Sequence, residues 1–306
     1  MIRDLTRRGL LRSLAGASVA ALLPSALAQT NSVLTRPVPS TGEALPLVGL
    51  GSWITFNVGN DPAARAASAE VMRAFFAAGG LMIDSSPMYG SSQEVIGYGL
   101  KKLDPPSALF SADKVWISSG ARGRSQIEAS RRNWGIPRFD LVQVHNLLAW
   151  QEHLPTLFSM KQAGEVRYVG ITTSEGRRHR EFEQVMKSQP LDFIQVTYNV
   201  LDREVEDRIL PLARDRNMAV IINRPFREGE LIRRVQRRPL PGWAKEIDCA
   251  NWAQVLLKFI ISHPAVTCAI PATTRVDHVK ENMGAASGRL SDAPMRARMV
   301  AHIEKL

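Results

Sequence analysis

Eight short runs of apolar and β-branched residues recur along the chain, each separated from the next by a longer stretch with helical spacing. They are LPLVGLG (45–51), LMID (81–84), VWISS (115–119), DLVQVH (140–145), YVGIT (168–172), FIQVTY (193–198), AVIINR (219–224) and TCAIPA (267–272). Strands that are apolar almost throughout are buried on both faces, which requires a parallel sheet covered by helices. In the first interval Asp61 can cap a helix with Pro62 at its first position, Val71 and Phe75 share a face, and Gly79 stops it. Glu204 to Asn217 and Ala250 to Ser262 repeat the plan. Eight such units in about 260 residues predict a single-domain (β/α)8 (TIM) barrel of the α/β class, with a doubly wound sheet as the structural alternative. Ahead of the first strand, VLTRPVPSTGEALP (33–46) reads as a hairpin closing the barrel bottom.

Residues 1–28 have a different character. Arg7 and Arg8 precede an apolar stretch that ends in Ala26-Leu27-Ala28, the order of a basic region, a hydrophobic region and a cleavage site. Pro24 interrupts the stretch, which is shorter than the ~20 residues that span a bilayer, so the expectation is a leader cleaved after Ala28 and no stable membrane anchor. Thr6-Arg7-Arg8-Gly9-Leu10-Leu11-Arg12 resembles the bacterial twin-arginine signal, with Leu10 where that signal usually has Phe. The implied organisation is a signal peptide at 1–28 and the barrel at 29–306, exported in folded form to the periplasm by the twin-arginine machinery. The net charge of +10 favours anionic ligands weakly, and no interleaving of aromatic and basic residues points to nucleic acid. Two cysteines, Cys249 and Cys268, imply no disulfide framework.

Chemistry in this barrel gathers at the C-terminal ends of the strands. Those positions carry Trp53, Asp84 with Tyr89, Ser118 to Gly120, His145, Thr172 with Thr173, Tyr198 with Asn199, Asn223 with Arg224, and Pro271 to Arg275. Glycosidase chemistry needs two flanking carboxylates, and only Asp84 ends a strand as an acid. Metal-assisted hydrolysis needs clustered ligands, and of six scattered histidines only His145 ends a strand, so no metal is expected. A phenol, an imidazole and one carboxylate suit proton donation to a carbonyl oxygen as it gains negative charge.

From about Leu45 to Ala286 the chain resembles the aldo-keto reductases, through VGLGSW, IDSSPMYGSSQEVIGYGL, RFDLVQVHN, EVRYVGITT, FIQVTYN, AVIINRPF and AIPATTRVDHVKEN taken together. The resemblance implies an NADP(H)-dependent oxidoreductase, with NAD(H) as the other nucleotide, interconverting a small-molecule carbonyl and an alcohol. GLGSW is no dinucleotide fingerprint, and the family has none. Residue by residue, Tyr89 matches the general acid, His145 the histidine that orients the carbonyl, and Asp84 the acid that supports the tyrosine's partner. That partner is a lysine ending the third strand in a context like VFIATK. With the third strand at VWISS, Gly120 takes its place, Lys114 falls at the opposite end of the barrel, and Arg122 is the substitute cation.

For the cofactor, Thr172 and Thr173 replace a Ser-Asn pair that holds the nicotinamide amide, and Gln195 matches a second amide contact. Asn223 stands where an aromatic residue often stacks, leaving Phe226 as the stacking candidate. Arg275 and His278 are candidates for the 2′-phosphate, Asn282 for adenine, and Arg224 and Arg227 for the pyrophosphate; Trp53 lines the substrate pocket. Two other readings stand beside the reductase: a non-catalytic barrel that binds a dinucleotide or ligand as a sensor, favoured by Gly120 and Asn223, and a non-redox acid-base enzyme using Tyr89 and His145.

Overall fold

The computed structural model describes residues 33–306. The proposed leader lies outside the described residues. A hairpin of β1 (Thr35–Pro37) and β2 (Ala44–Pro46) precedes eight parallel strands: β3 (Leu50–Gly51), β4 (Met82–Asp84), β5 (Phe110–Val115), β6 (Phe139–Val144), β7 (Val166–Thr172), β8 (Phe193–Thr197), β9 (Ala219–Asn223) and β10 (Cys268–Ala269). Neighbours in the chain are neighbours in the sheet. The ends meet through parallel bridges Val48 to Ala269 and Gly51 to Ala272, with Gly49 N–H donating to Ala269 O at 2.8 Å and Gly51 N–H to Pro271 O at 3.1 Å. The sheet therefore closes, and no edge is left to cover.

Helices follow the strands as the sequence spacing predicts. After β3 comes α1 (Pro62–Ala77), whose N-cap Asp61 accepts the Ala64 N–H at 2.8 Å; Gly79 ends it in a left-handed conformation, φ 81°. Then come α2 (Ser92–Lys102), α3 (Gly123–Trp134), α4 (Trp150–Gln162), α5 (His179–Ser188), α6 (Ile209–Asp215), α7 (Glu230–Val235), α8 (Trp252–Ile261), α9 (Val276–Gly284) and α10 (Ala293–Ile303).

Alternation along each strand sorts side chains between the barrel interior and the helix layer. Met82, Phe110, Ala112, Leu141, Tyr168, Phe193, Ala219 and Ile221 fill the interior toward the strands' N-terminal ends, and Val38 and Leu45 of the hairpin join the same cluster. Phe110, Tyr168 and Phe193 touch pairwise, with ring centroids 5.3–5.9 Å apart. Tyr168 donates its hydroxyl to Glu43 at 2.6 Å and meets Thr41 Oγ1 at 2.8 Å, which fastens the hairpin under the barrel. The same parity, followed upward, turns Asp84, Lys114, Thr172, Gln195 and Asn223 inward at the other end.

One strand departs from the sequence expectation. The third barrel strand runs Phe110–Val115, not 115–119. Its ladder to β4 pairs Met82 with Phe110 and Asp84 with Ala112, and every residue from Phe110 to Val115 is buried. The strand carries Ser111, Asp113 and Lys114, so apolarity alone slides the reading five residues downstream. At ~3.3 Å per residue, that slip is about 16 Å, enough to move a side chain from one end of the barrel to the other.

The seam between first and last strands is tight. A Cβ added at Gly51 would stand 2.7 Å from the Ile270 carbonyl oxygen, a backbone atom with no rotamer to escape into. Gly51→Ala is expected to destabilise the chain by about 1–3 kcal/mol, read as a lower urea midpoint with an unchanged slope.

Candidate active site

Asp84 ends β4 and is buried at the top of the barrel interior. Across from it, Lys114 rises from β5, fully buried, with Nζ 2.6 Å from Asp84 Oδ2 and 2.8 Å from the Ser85 carbonyl oxygen. Gln195, from β8, donates its side-chain amide to the other Asp84 oxygen at 2.9 Å. Both carboxylate oxygens therefore have partners, as an ion buried this deeply requires.

Tyr89 lies in the loop between β4 and α2, and the Lys114 ammonium stands 5.2 Å from its ring centroid. Burial pushes the phenol upward and the Lys114 charge pulls it back, for a net rise, so Tyr89 carries its proton at neutral pH. Burial opposes the Lys114 charge, and the attraction of Asp84, Tyr89 and Asp113 outweighs it, so Lys114 is raised and charged. His145 follows β6, its ring edge-on to Tyr89 at 5.6 Å, and its Nδ1 lies 2.8 Å from Ser86 Oγ. Burial, then the Lys114 charge, holds His145 well below its usual range, so the ring is neutral. Assigning the Ser86 hydroxyl proton to that bond leaves the ring proton on Nε2.

The expectation of a missing lysine is corrected by this geometry. LFSADK, residues 109–114, is the stretch that corresponds to VFIATK, and Lys114 occupies the lysine's position. Gly120 lies in a single turn beyond the strand, its N–H held by Glu152 at 2.8 Å. Arg122 is exposed in the same turn, outside the cavity, and is no substitute cation.

Asp84, Tyr89 and His145 open into a cavity of about 640 Å³. Of the other sequence candidates, Trp53, Thr172, Gln195, Arg224, Phe226, His278 and Asn282 line it. Trp53 shares its rim with the exposed apolar side chains of Ile54 and Met88. Thr172 Oγ1 accepts the Asn146 N–H at 3.0 Å and so steadies the left-handed turn, φ 52°, that follows His145. Arg224 is held by Glu175 at 2.8 Å and by Glu228.

Besides Arg122, three candidates fall outside the cavity. Thr173 turns its hydroxyl to the Arg177 carbonyl, and its own carbonyl accepts Asn223 Nδ2 at 2.9 Å. Arg227 pairs with Asp202 at 3.1 Å and Glu230 at 3.3 Å. Arg275 is exposed and paired with Asp277. Sequence reasoning missed Lys114 and Ser86; the inward parity of Phe110, Ala112 and Lys114 was the available signal for the first.

The cavity lining mixes Asp84, Glu175, Glu228 and Glu281 with Arg177, Arg224, Arg233 and His278. Gln195 reaches Asp84 at its floor, and Thr172, Arg224, Phe226 and, from α9, His278 and Asn282 complete the lining. Among the described residues no cluster of His, Cys, Asp or Glu is arranged to hold a metal ion.

The model of the aldo/keto reductase family matches residues 47–303. The chain belongs to that family. Among aldo/keto reductases it is similar to the methylglyoxal reductase YeaE of Escherichia coli, 27% identical, with 82% of this chain and 89% of that protein covered. It is also similar to an NADH-specific methylglyoxal reductase of the same organism, 26% identical, with 84% and 94% covered. Among solved structures, an aldo/keto reductase from Klebsiella pneumoniae in complex with NADP and acetate shares the fold at a TM-score of 0.72 and 24% identity, with 86% and 93% covered.

Lys114→Met is expected to lower kcat about 10²- to 10⁴-fold with nucleotide affinity retained, and to cost about 3–5 kcal/mol of stability by leaving Asp84 unpaired. Arg122→Ala is expected to leave turnover unchanged. Steady-state kinetics with denaturant unfolding checks both.

Proposed function

We propose that this aldo/keto reductase is an NADP(H)-dependent oxidoreductase that interconverts a small aldehyde or ketone and its alcohol. The observation that carries the reading is the buried Lys114–Asp84 pair set against Tyr89, with neutral His145 edge-on to the same ring. A reduced nicotinamide, when bound, supplies a hydride to the carbonyl carbon. Tyr89 gives its proton to the carbonyl oxygen. The Lys114 charge stabilises the phenolate left behind, and Asp84, fixed by Gln195, keeps the ammonium from drifting. His145 Nε2 hydrogen-bonds the same oxygen and orients it. With a cation beside Tyr89, the absent lysine no longer favours a sensor without chemistry, and Asn223 is the feature left to that reading.

Thr172 and Gln195 would hold the nicotinamide end, Arg224, once drawn from Glu175 and Glu228, the pyrophosphate, and His278 and Asn282 the adenosine end. Arg275 is already engaged by Asp277, which weakens its claim on a 2′-phosphate. NADP(H) is the proposed cofactor, with NAD(H) accepted less well. The relatives that reduce methylglyoxal, and the apolar rim of Trp53, Ile54 and Met88, support a small reactive carbonyl as substrate.

The Arg7-Arg8 leader supports export to the periplasm by the twin-arginine route, which carries folded proteins and so allows the nucleotide to travel in place. Replacing both arginines with lysine is expected to leave the chain in the cytoplasm on cell fractionation, and unchanged distribution would count against export.

NADPH is expected to quench tryptophan fluorescence saturably and more tightly than NADH, and methylglyoxal to be consumed with NADPH oxidation. Quenching by neither nucleotide would exclude the redox reading. Binding without turnover on any aldehyde or ketone tested would restore the sensor.

A further inference from the structure

Asp113 adjoins Lys114 on β5 and is almost wholly buried, yet it faces away from the cavity, toward the helix layer. Its Oδ2 accepts the Gln93 side-chain amide of α2 at 2.8 Å, and that amide also donates to Ser130 Oγ of α3 at 2.8 Å. Its Oδ1 accepts the backbone N–H of Lys114 at 2.7 Å. A carboxylate between strand and helices is costly to bury and supplies no packing that an apolar side chain would not.

The ladder between β4 and β5 gives it a purpose. Asp84 pairs with Ala112, and the Ser85 N–H donates to Ala112 O at 3.0 Å. In a parallel ladder the next rung takes the Lys114 backbone N–H to the Ser85 carbonyl oxygen. That rung is absent. The Ser85 carbonyl instead accepts Lys114 Nζ at 2.8 Å, and the Lys114 N–H goes to Asp113.

We propose that Asp113 is a positioning residue: by taking the Lys114 backbone N–H it releases the Ser85 carbonyl for the ammonium, and so fixes where Lys114 stands against Asp84 and Tyr89. This inference rests on the reading of Tyr89 as proton donor. It has an electrostatic corollary. The charges acting on Asp113 are those of Lys114 beside it and Asp84 on β4; α2 and α3 present the neutral Gln93 and Ser130, and β6 presents Val142. Burial pushes Asp113 up to about 7, against the pull of the Lys114 N–H, the Lys114 charge and Gln93. Its negative charge above that pH raises Tyr89. Removing the charge must therefore lower the pH at which Tyr89 ionises.

Two variants separate position from charge. Asp113→Asn keeps an oxygen for the Lys114 N–H, and Gln93 can turn its own oxygen to the new amide. Asp113→Ala offers no acceptor, so the N–H turns to Ser85 and competes with the ammonium for its carbonyl oxygen. The full chain is assayed for alcohol oxidation and aldehyde reduction, and Tyr89 ionisation is followed by ultraviolet difference absorbance against Tyr89→Phe. Asp113→Ala is expected to lose about 10- to 100-fold in kcat with KM little changed. Asp113→Asn is expected to keep most of kcat and to shift the Tyr89 ionisation, and the alkaline limb of oxidation, downward. Wild-type kcat and titration in folded Asp113→Ala would overturn the proposal, as would an Asp113→Asn chain as impaired as Asp113→Ala. Should Asp113→Ala fail to fold, Asp113→Val, which also offers no acceptor and fills the buried site with an apolar side chain, is assayed in its place, and wild-type kcat and titration in it overturn the proposal. The absorbance titration needs no turnover, so a failure of the reductase reading is told apart from a failure of this one.

Discussion

The Asp84–Lys114 ion pair is the interaction on which the rest of the site depends. Two opposite charges taken out of water are favourable only where geometry is close and every remaining lone pair or proton is matched. Here the ammonium is shared between Asp84 and the Ser85 carbonyl, and the carboxylate between Lys114 and Gln195. Strands β4, β5 and β8 thus meet in one polar knot above the apolar lower interior of the barrel. Tyr89 and neutral His145 are laid over that knot. The chemistry follows from the order of attachment: a fixed charge first, a phenol placed against it second, and a cavity opening on the phenol's far side.

Barrel closure makes such a knot possible. Because side chains alternate along each strand, Phe110, Tyr168 and Phe193 seal the lower interior, and the same parity turns Lys114, Thr172 and Gln195 inward above them. The hairpin at 33–46 plugs the lower end through Val38, Leu45 and the Tyr168 hydroxyl. Trp53, Ile54 and Met88 give the cavity an apolar edge.

Most of this architecture was legible because seven of the eight strands announce themselves by apolarity. β6 to β9 could be placed to within a residue or two, and with them His145, Thr172, Gln195 and Arg224. The third strand was not legible on that criterion, because it spends three of its six residues on Ser111, Asp113 and Lys114. Those polar residues do the strand's work, and they also hide it. Asp113 bonds α2, Lys114 bonds β4, and Ser111 bonds Asp140 at the start of β6. Loop positions were read less well for a different reason. Thr173, Arg227 and Arg275 have the right chemistry, but each finds a partner on its own loop or a neighbouring one, and no strand periodicity reports that.

The central claim is that Lys114 and Asp84 act on Tyr89 as one unit. A double-mutant cycle of Lys114→Met and Asp84→Asn in kcat/KM for aldehyde reduction tests it most directly. If the account holds, the double variant is no slower than the worse of the two single variants, because either change removes the same fixed charge from beside Tyr89. Losses that multiply, each residue contributing its full factor independently of the other, would contradict it.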